Sequence, residues 1–117
     1  MKETEIQRAC LEWLQLKGYF CWRNNNTGIY DPSKKIYRSF HGMKGVPDII
    51  VIMPPRGTFV GVEVKGPTGR QSDAQKAFEA SCVDSGGVYV LVHSLEELID
   101  DFDELDTLLS QQHGADD

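Results

Sequence analysis

Two carboxylates and a lysine at the centre of the chain, Asp48, Glu63 and Lys65, are residue types that metal-dependent hydrolysis uses. Side chains alternate faces along a strand, so Glu63 and Lys65 would project side by side from a strand over residues 58–65. Asp48 opens the preceding apolar run, residues 48–53, and would meet Glu63 if the two strands pair. Converging carboxylates favour a hard divalent cation, and the lysine could help to deprotonate a water on it. The three residues could therefore hydrolyse a phosphodiester; the competing interpretation is a solvated Glu–Lys pair on a surface hairpin.

The elements around these residues must bring Asp48 and Glu63 onto neighbouring strands. Residues 54–57, Pro-Pro-Arg-Gly, separate the two apolar runs and indicate a hairpin. Three helices are predicted at capping-box sequences, which begin at Thr4, Ser72 and Ser94. Further strands are predicted over residues 19–23, 29–30, 36–40 and 88–92. This order predicts an α/β sandwich, in which helices flank a mixed central β-sheet.

Length and composition limit the class of protein. The 117 residues fit one domain, predicted over residues 1–110, followed by an acidic frayed tail over residues 111–117. The sequence has no apolar run long enough to span a membrane and no secretory-type N-terminus, so we expect a cytoplasmic protein without a membrane partner. The three cysteines are widely spaced and odd in number, which predicts reduced core residues rather than disulfides or a zinc site.

Charge is distributed unevenly along the chain. The formal net charge is −6, yet residues 18–76 contain nine Lys or Arg and four Asp or Glu. Residues 77–117 contain eleven Asp or Glu and no Lys or Arg. A basic central region could therefore face a polyanion such as nucleic acid while the acidic part faces away. The alternative is a solvated mixture of charges without a large patch.

The central motif also resembles a known family. The residues are Lys44-Gly45-Val46-Pro47-Asp48-Ile49-Ile50, followed by Val62-Glu63-Val64-Lys65. They resemble the VRR-NUC family of the PD-(D/E)XK nuclease superfamily, and the likeness extends to about Val92. The resemblance implies a PD-(D/E)XK nuclease fold and a Mg²⁺ or Mn²⁺ ion bound by Asp48, Glu63 and the Val64 carbonyl. It also implies that Lys65 is the catalytic lysine.

Several further residues have two interpretations each. The resemblance makes Glu5 an outer acid of the metal site, whereas a first-turn glutamate can simply stabilise the helix dipole. It places Gln75 at the active site, whereas the sequence alone makes it the partner in a capping box. Residues that could contact DNA phosphates, or could simply be solvated, are Arg23, Asn24, Asn25, Lys34, Lys35, Arg38 and Lys44.

The resemblance implies a metal-dependent DNA endonuclease without an organic cofactor, acting on Holliday junctions or other branched DNA as a homodimer. The alternatives are a restriction-type nuclease or nickase on the same fold, and a non-catalytic DNA-binding module. The apolar hairpin residues Tyr30, Ile36, Tyr37 and Phe40 and an edge of the sheet are the predicted dimer surfaces. These hairpin residues could instead cover the core of the monomer.

Overall fold

The computed structural model describes residues 1–24, 29–38 and 43–115. The elements in chain order are α1 (Glu3–Leu16), β1 (Phe20–Arg23), β2 (Ile29–Asp31), β3 (Ile36–Arg38), β4 (Ile49–Met53), β5 (Thr58–Val64), α2 (Asp73–Asp84), β6 (Val88–Val92) and α3 (Leu95–Ala115). A four-stranded sheet has the order β1-β4-β5-β6, and β2 pairs with β3 in a separate two-stranded sheet. The β1–β4 and β4–β5 pairs are antiparallel, and β5–β6 is parallel. The predicted mixed sheet with flanking helices is confirmed.

One face of the sheet packs against α1 and α3 and forms the core. Alternate residues of β5 point to this face, and Val60, Val62 and Val64 are fully buried there. The helices contribute residues at helical spacing to the same cluster. The buried helical members are Ile6, Cys10 and Leu14 of α1 with Leu98, Phe102 and Leu109 of α3. This packing leaves the opposite face of the sheet for the ionisable residues.

The opposite face is partly covered by α2. Phe59 of β5 and Tyr89 of β6 both pack against Phe78 of α2, with ring centroids 6.4 Å apart in each pair. Phe59 therefore lies under α2. The Ser72 capping box that opens α2 is also confirmed, because Gln75 N donates to Ser72 Oγ and Ser72 N donates to Gln75 Oε1.

The other two predicted capping boxes are wrong in part. Helix α1 begins at Glu3 with Lys2 as its N-cap, so Thr4 lies inside the first turn and caps nothing. Ser94 does cap α3, because its Oγ accepts from Glu97 N. The Glu97 carboxylate, however, accepts from His93 N instead of Ser94 N, so the reciprocal bond of the box is replaced by one to the preceding residue.

The end of the chain also differs from the prediction of a frayed tail over residues 111–117. Helix α3 continues through Gly114 to Ala115, so residues 111–115 are helical. Residues 116 and 117 lie outside the described residues. All three cysteines are free thiols, as predicted; Cys10 is buried, and Cys21 and Cys82 are half-buried. Within the described ranges, no helix is both long and apolar enough to cross a membrane.

Candidate active site

Asp48 is held at the end of β4 by close contacts of the residues that precede it. Gly45 has φ +79° and lies so close to α2 that an added Cβ would be 2.2 Å from the Ala74 carbonyl oxygen. Pro47 packs on Gly61 of β5, where an added Cβ would be 2.6 Å from Pro47 Cγ. The Gly-x-Pro-Asp sequence therefore fits between α2 and β5 only because Gly45 and Gly61 lack side chains.

The register of β4 and β5 then brings Asp48 to Glu63. Ile49 pairs with Val62, so Asp48 and Glu63 stand one residue further along, on the face opposite the core. Asp48 Oδ2 accepts a hydrogen bond from Val64 N at 2.9 Å. This bond fixes one oxygen of the Asp48 carboxylate against the end of β5. The predicted meeting of the two carboxylates is thus present.

Glu63 is the buried charged residue of this site. Its side chain is 2% exposed, and its Oε1 has no hydrogen-bond partner among the described residues. Its Oε2 lies 3.9 Å from Lys65 Nζ. Burial, then hydrogen bonding with Asp48 and the Asp48 charge, together raise the pKa of Glu63 to about 9, although the Lys65 charge acts to lower it. The metal-free site therefore disfavours a second negative charge.

These features fit a divalent cation. An unpartnered buried carboxylate oxygen beside a second carboxylate is an unfavourable arrangement that a cation would relieve. Among the described residues, no group of three or more His, Cys, Asp or Glu could hold a metal. The side-chain ligands would therefore be Asp48 and Glu63, and Mg²⁺ is commonly bound by one or two carboxylates together with waters and substrate phosphates.

Two further residues were predicted for the site, Glu5 and Gln75, and each lies in the first turn of a helix. Glu5 is exposed in the first turn of α1, but the acid of that turn whose charge raises the pKa of Glu63 is Glu3. The side-chain oxygen of Gln75 is used by the capping box of α2. The sequence motif did not single out Glu3, and only the packing of α1 on β5 reveals it.

The predicted DNA-contacting residues fall into two groups. Arg23 and Asn24 lie at the site end of the sheet, since Arg23 pairs with Ile49 and Asn24 N donates to the Asp48 carbonyl oxygen at 2.7 Å. Lys44 precedes Gly45 and is exposed. Exposed side chains in the turn between β2 and β3 belong to Lys34 and Lys35, and β3 ends at Arg38. Asn25 lies outside the described residues.

The sequence prediction overlooked a set of polar residues beside Glu63. Tyr89 pairs with Gly61 on the site face. Gln71 Nε2 donates both to the Tyr89 hydroxyl, at 3.2 Å, and to Glu79 Oε1, at 3.0 Å. Burial, together with the charges of Glu63, Glu79 and Asp48, raises the pKa of Tyr89 to about 12, although the hydrogen bond from Gln71 acts to lower it. Only the parallel register of β5 and β6 places Tyr89 here, and that register is not visible in the sequence.

Comparisons with known proteins agree with this geometry. A family model described as "VRR-NUC domain" matches residues 1–96. One similar solved structure, named "VRR_NUC domain", has a TM-score of 0.62 and 23% identity over 86% of this chain and 92% of its own. Another, named "VRR_NUC domain protein", has a TM-score of 0.66 and 16% identity over 88% of this chain and 86% of its own. Among curated proteins, none matches the chain significantly.

The two solved structures share the fold, and the family model covers the sheet with Asp48, Glu63 and Lys65. The chain belongs to the VRR-NUC domain family of nucleases.

Proposed function

We propose that this protein is a Mg²⁺- or Mn²⁺-dependent DNA endonuclease that hydrolyses phosphodiester bonds of DNA. Its active site would consist of Asp48, Glu63 and Lys65. The observation that carries the proposal is Glu63: a buried carboxylate with an unpartnered oxygen, beside Asp48 and 3.9 Å from the Lys65 ammonium group. A role in stability alone does not account for it, because a buried polar oxygen without a hydrogen-bond partner destabilises a fold.

Each residue has a distinct part in this reaction. Asp48 and Glu63 would hold the cation together with the Val64 carbonyl. The chemistry that such a cation supplies when bound is polarisation of the phosphoryl oxygens and a lower pKa for water, from ~15.7 towards neutrality. Lys65 would act in one of two forms: as the amine it would accept a proton from the attacking water, and as the ammonium group it would orient that water and offset the negative charge that develops on the phosphate. The hydrogen bond from Val64 N keeps Asp48 in the orientation that this reaction needs.

Branched DNA, such as a Holliday junction, is the proposed substrate, and a homodimer is the proposed active form. Symmetric cleavage of a four-way junction requires two active sites in matching geometry, which a two-fold axis supplies. One chain supplies a single Asp48–Glu63–Lys65 site. A restriction-type nuclease or a nickase on the same fold would instead prefer linear duplex.

A panel of DNA substrates tests both the proposed nuclease activity and the proposed preference for branched DNA. Purified protein is incubated with Mg²⁺ or Mn²⁺ and with four-way junction, flap, duplex and single-stranded DNA, and the Glu63→Gln variant serves as the control for contaminating nuclease. We expect metal-dependent products that are absent with EDTA and with the variant, and fastest cleavage of the junction. Equal or faster cleavage of linear duplex would favour the restriction-type alternative. No cleavage of any DNA under either metal would favour the non-catalytic module.

A further inference from the structure

A cavity of about 590 Å³ lies next to the candidate active site. Its lining includes Arg70, Lys76, Leu91 and His93. Leu91 pairs with Glu63 in the parallel register of β5 and β6, and neighbouring strands are about 4.8 Å apart. The cavity therefore begins one strand away from the Glu63 carboxylate, on the same face of the sheet.

The loop between β5 and α2 connects the cavity to Lys65. A Cβ added to Gly69 would lie 3.1 Å from Lys65 Cβ, so the loop packs directly against the lysine. The Gly69 carbonyl oxygen in turn contacts His93 Nε2 at 3.1 Å. Because this contact joins the loop to the end of β6, the wall of the cavity is fixed relative to Lys65.

The cavity contains cationic side chains that the fold does not use. Arg70 and Lys76 are exposed, and neither forms an ion pair with any of the described residues. No acidic residue of the described ranges is in the lining of the cavity; Glu79 and Glu97 contact two of its lining residues, because Glu79 accepts from Gln71 and Glu97 accepts from His93 N. Two unpaired cations beside an active site favour an anion.

We propose that Arg70 and Lys76 form a phosphate-binding subsite, which holds the nucleic-acid backbone next to the phosphate that is cleaved at Asp48, Glu63 and Lys65. The planar fork of Arg70 matches two phosphate oxygens, and Lys76 contributes a point charge. Such contacts fix the register and orientation of a strand and carry no sequence information. This inference rests on the proposed nuclease function.

DNA binding without cleavage tests the subsite. Fluorescence anisotropy of a labelled DNA duplex and a labelled four-way junction is measured in EDTA over a range of salt concentrations. The test variant is Arg70→Gln/Lys76→Gln, and Arg70→Lys/Lys76→Arg preserves the charges. The matched control, Arg8→Gln/Lys17→Gln, removes one arginine from α1 and the lysine that follows its last residue, and α1 packs on the other face of the sheet.

We expect Arg70→Gln/Lys76→Gln to weaken binding at low salt by about tenfold or more and to reduce the slope of log K against log[salt] by about 1.4 to 1.8. The charge-preserving variant should retain the wild-type slope, and the control variant should bind within about twofold of wild type. Melting temperatures of all variants are measured alongside, because a purely structural role would lower stability without changing the slope.

The outcomes separate the two proposals. If the wild type binds and cleaves DNA but Arg70→Gln/Lys76→Gln binds equally well, the subsite is wrong and the nuclease function stands. If the wild type neither binds nor cleaves DNA, both proposals fail. Inorganic phosphate is titrated in parallel by NMR: if it saturates the backbone signals of residues 69–76 without weakening DNA binding, the cavity takes free phosphate and the backbone subsite is overturned.

Discussion

The Glu63 carboxyl group determines how the stability of the metal-free protein depends on pH. Burial and the adjacent Asp48 raise its pKa from 4.5 to about 9. The native state therefore keeps a proton that the unfolded chain releases above its ordinary pKa. Because the native state binds more protons in this window, the free energy of unfolding falls as pH rises from about 4.5 towards 9.

Glu63→Gln tests this effect together with catalysis. The amide keeps the shape of the protonated carboxyl, so we expect the metal-free variant to melt a few degrees higher than wild type at about pH 8 and to lose most of the pH slope. Cleavage should fall by more than about 100-fold, because even the residues that support metal ligands cost 10- to 100-fold when changed. Thermal melts across pH and single-turnover cleavage measure both quantities. Wild-type turnover by this variant would remove Glu63 from the reaction.

Lys65 should affect cleavage much more than metal binding. Lys65→Met keeps most of the side-chain volume but removes the ammonium group 3.9 Å from Glu63 Oε2. Loss of this charge raises the pKa of Glu63 further, so Mn²⁺ affinity should weaken by less than about tenfold at neutral pH. Cleavage should fall by about 100-fold or more, as is typical when a general acid–base group is lost.

Calorimetric titration with Mn²⁺ and cleavage assays of Lys65→Met separate the two roles, and Lys17→Met is the control for removal of a distant lysine. A collapse of Mn²⁺ affinity in Lys65→Met, as large as that in Glu63→Gln, would show that the lysine is needed to form the metal site rather than to act on the water.

At the scale of elements, the hairpin of β4 and β5 was the most predictable part of the molecule. Two β-branched apolar runs separated by Pro-Pro-Arg-Gly have one plausible pairing, and that pairing brings Asp48 to Glu63. The start of α1 was not predictable, because Glu3 and Thr4 are both acceptable near a helix N-terminus and the packing of Ile6, Cys10 and Leu14 decides the register.

The residues around the hairpin were harder to predict, because long-range packing determines their positions. The parallel pairing of β5 with β6 places Tyr89 on the site face, and the same pairing, with the position of α2, brings Arg70 and Lys76 into one cavity with Leu91. These contacts are long-range, and no local spacing in the sequence encodes them. The motif therefore identified the hydrolytic centre, whereas the surrounding residues required the three-dimensional packing.

The close approach of the loop before β4 to α2 can be measured by a glycine substitution. Gly45→Ala would place a Cβ 2.2 Å from the Ala74 carbonyl oxygen, in addition to the strain of φ +79°. We expect a loss of unfolding free energy of about 2–4 kcal/mol and a loss of cleavage, because Asp48 would shift. The matched control is Gly86→Ala, since Gly86 has φ +91° but open space around an added Cβ.

Gly86→Ala should introduce backbone strain alone. We expect it to lower the free energy of unfolding by about 1 kcal/mol and to leave cleavage unchanged. Denaturant unfolding of both variants measures the difference between their free energies of unfolding. Equal destabilisation of the two variants would mean that the contact between Gly45 and α2 does not constrain Asp48.

At the scale of the whole molecule, the distribution of charge is compatible with DNA binding despite a net charge of −6. The acidic residues after Lys76 lie mainly on α3, which packs on the face of the sheet opposite Glu63. Salt screens exposed charges beyond about 8 Å at physiological ionic strength. A polyanion on the site face therefore meets Arg70 and Lys76 more strongly than it meets α3.

The exposed edge of the sheet suggests where two chains would meet. β1 is an outer strand, and its Phe20 and Trp22 are 68% and 42% exposed, with ring centroids 5.4 Å apart. An apolar edge strand with free backbone groups favours pairing with another chain. The predicted hairpin surface is a separate two-stranded sheet, and Phe40 lies outside the described residues. We therefore place the proposed dimer contact at β1.

Light scattering of wild type, Trp22→Glu and Leu108→Glu tests this contact. Leu108 is a matched control because it is 48% exposed but lies on the acidic α3, where two copies would repel each other. We expect a mass of two chains for wild type and Leu108→Glu, and a mass of one chain for Trp22→Glu, because a buried unpaired carboxylate in an interface is strongly unfavourable.

Trp22→Glu should also lose symmetric cleavage of a four-way junction while still nicking single strands, since each chain retains Asp48, Glu63 and Lys65. A wild-type mass of one chain, both with and without DNA, would rule out the dimer.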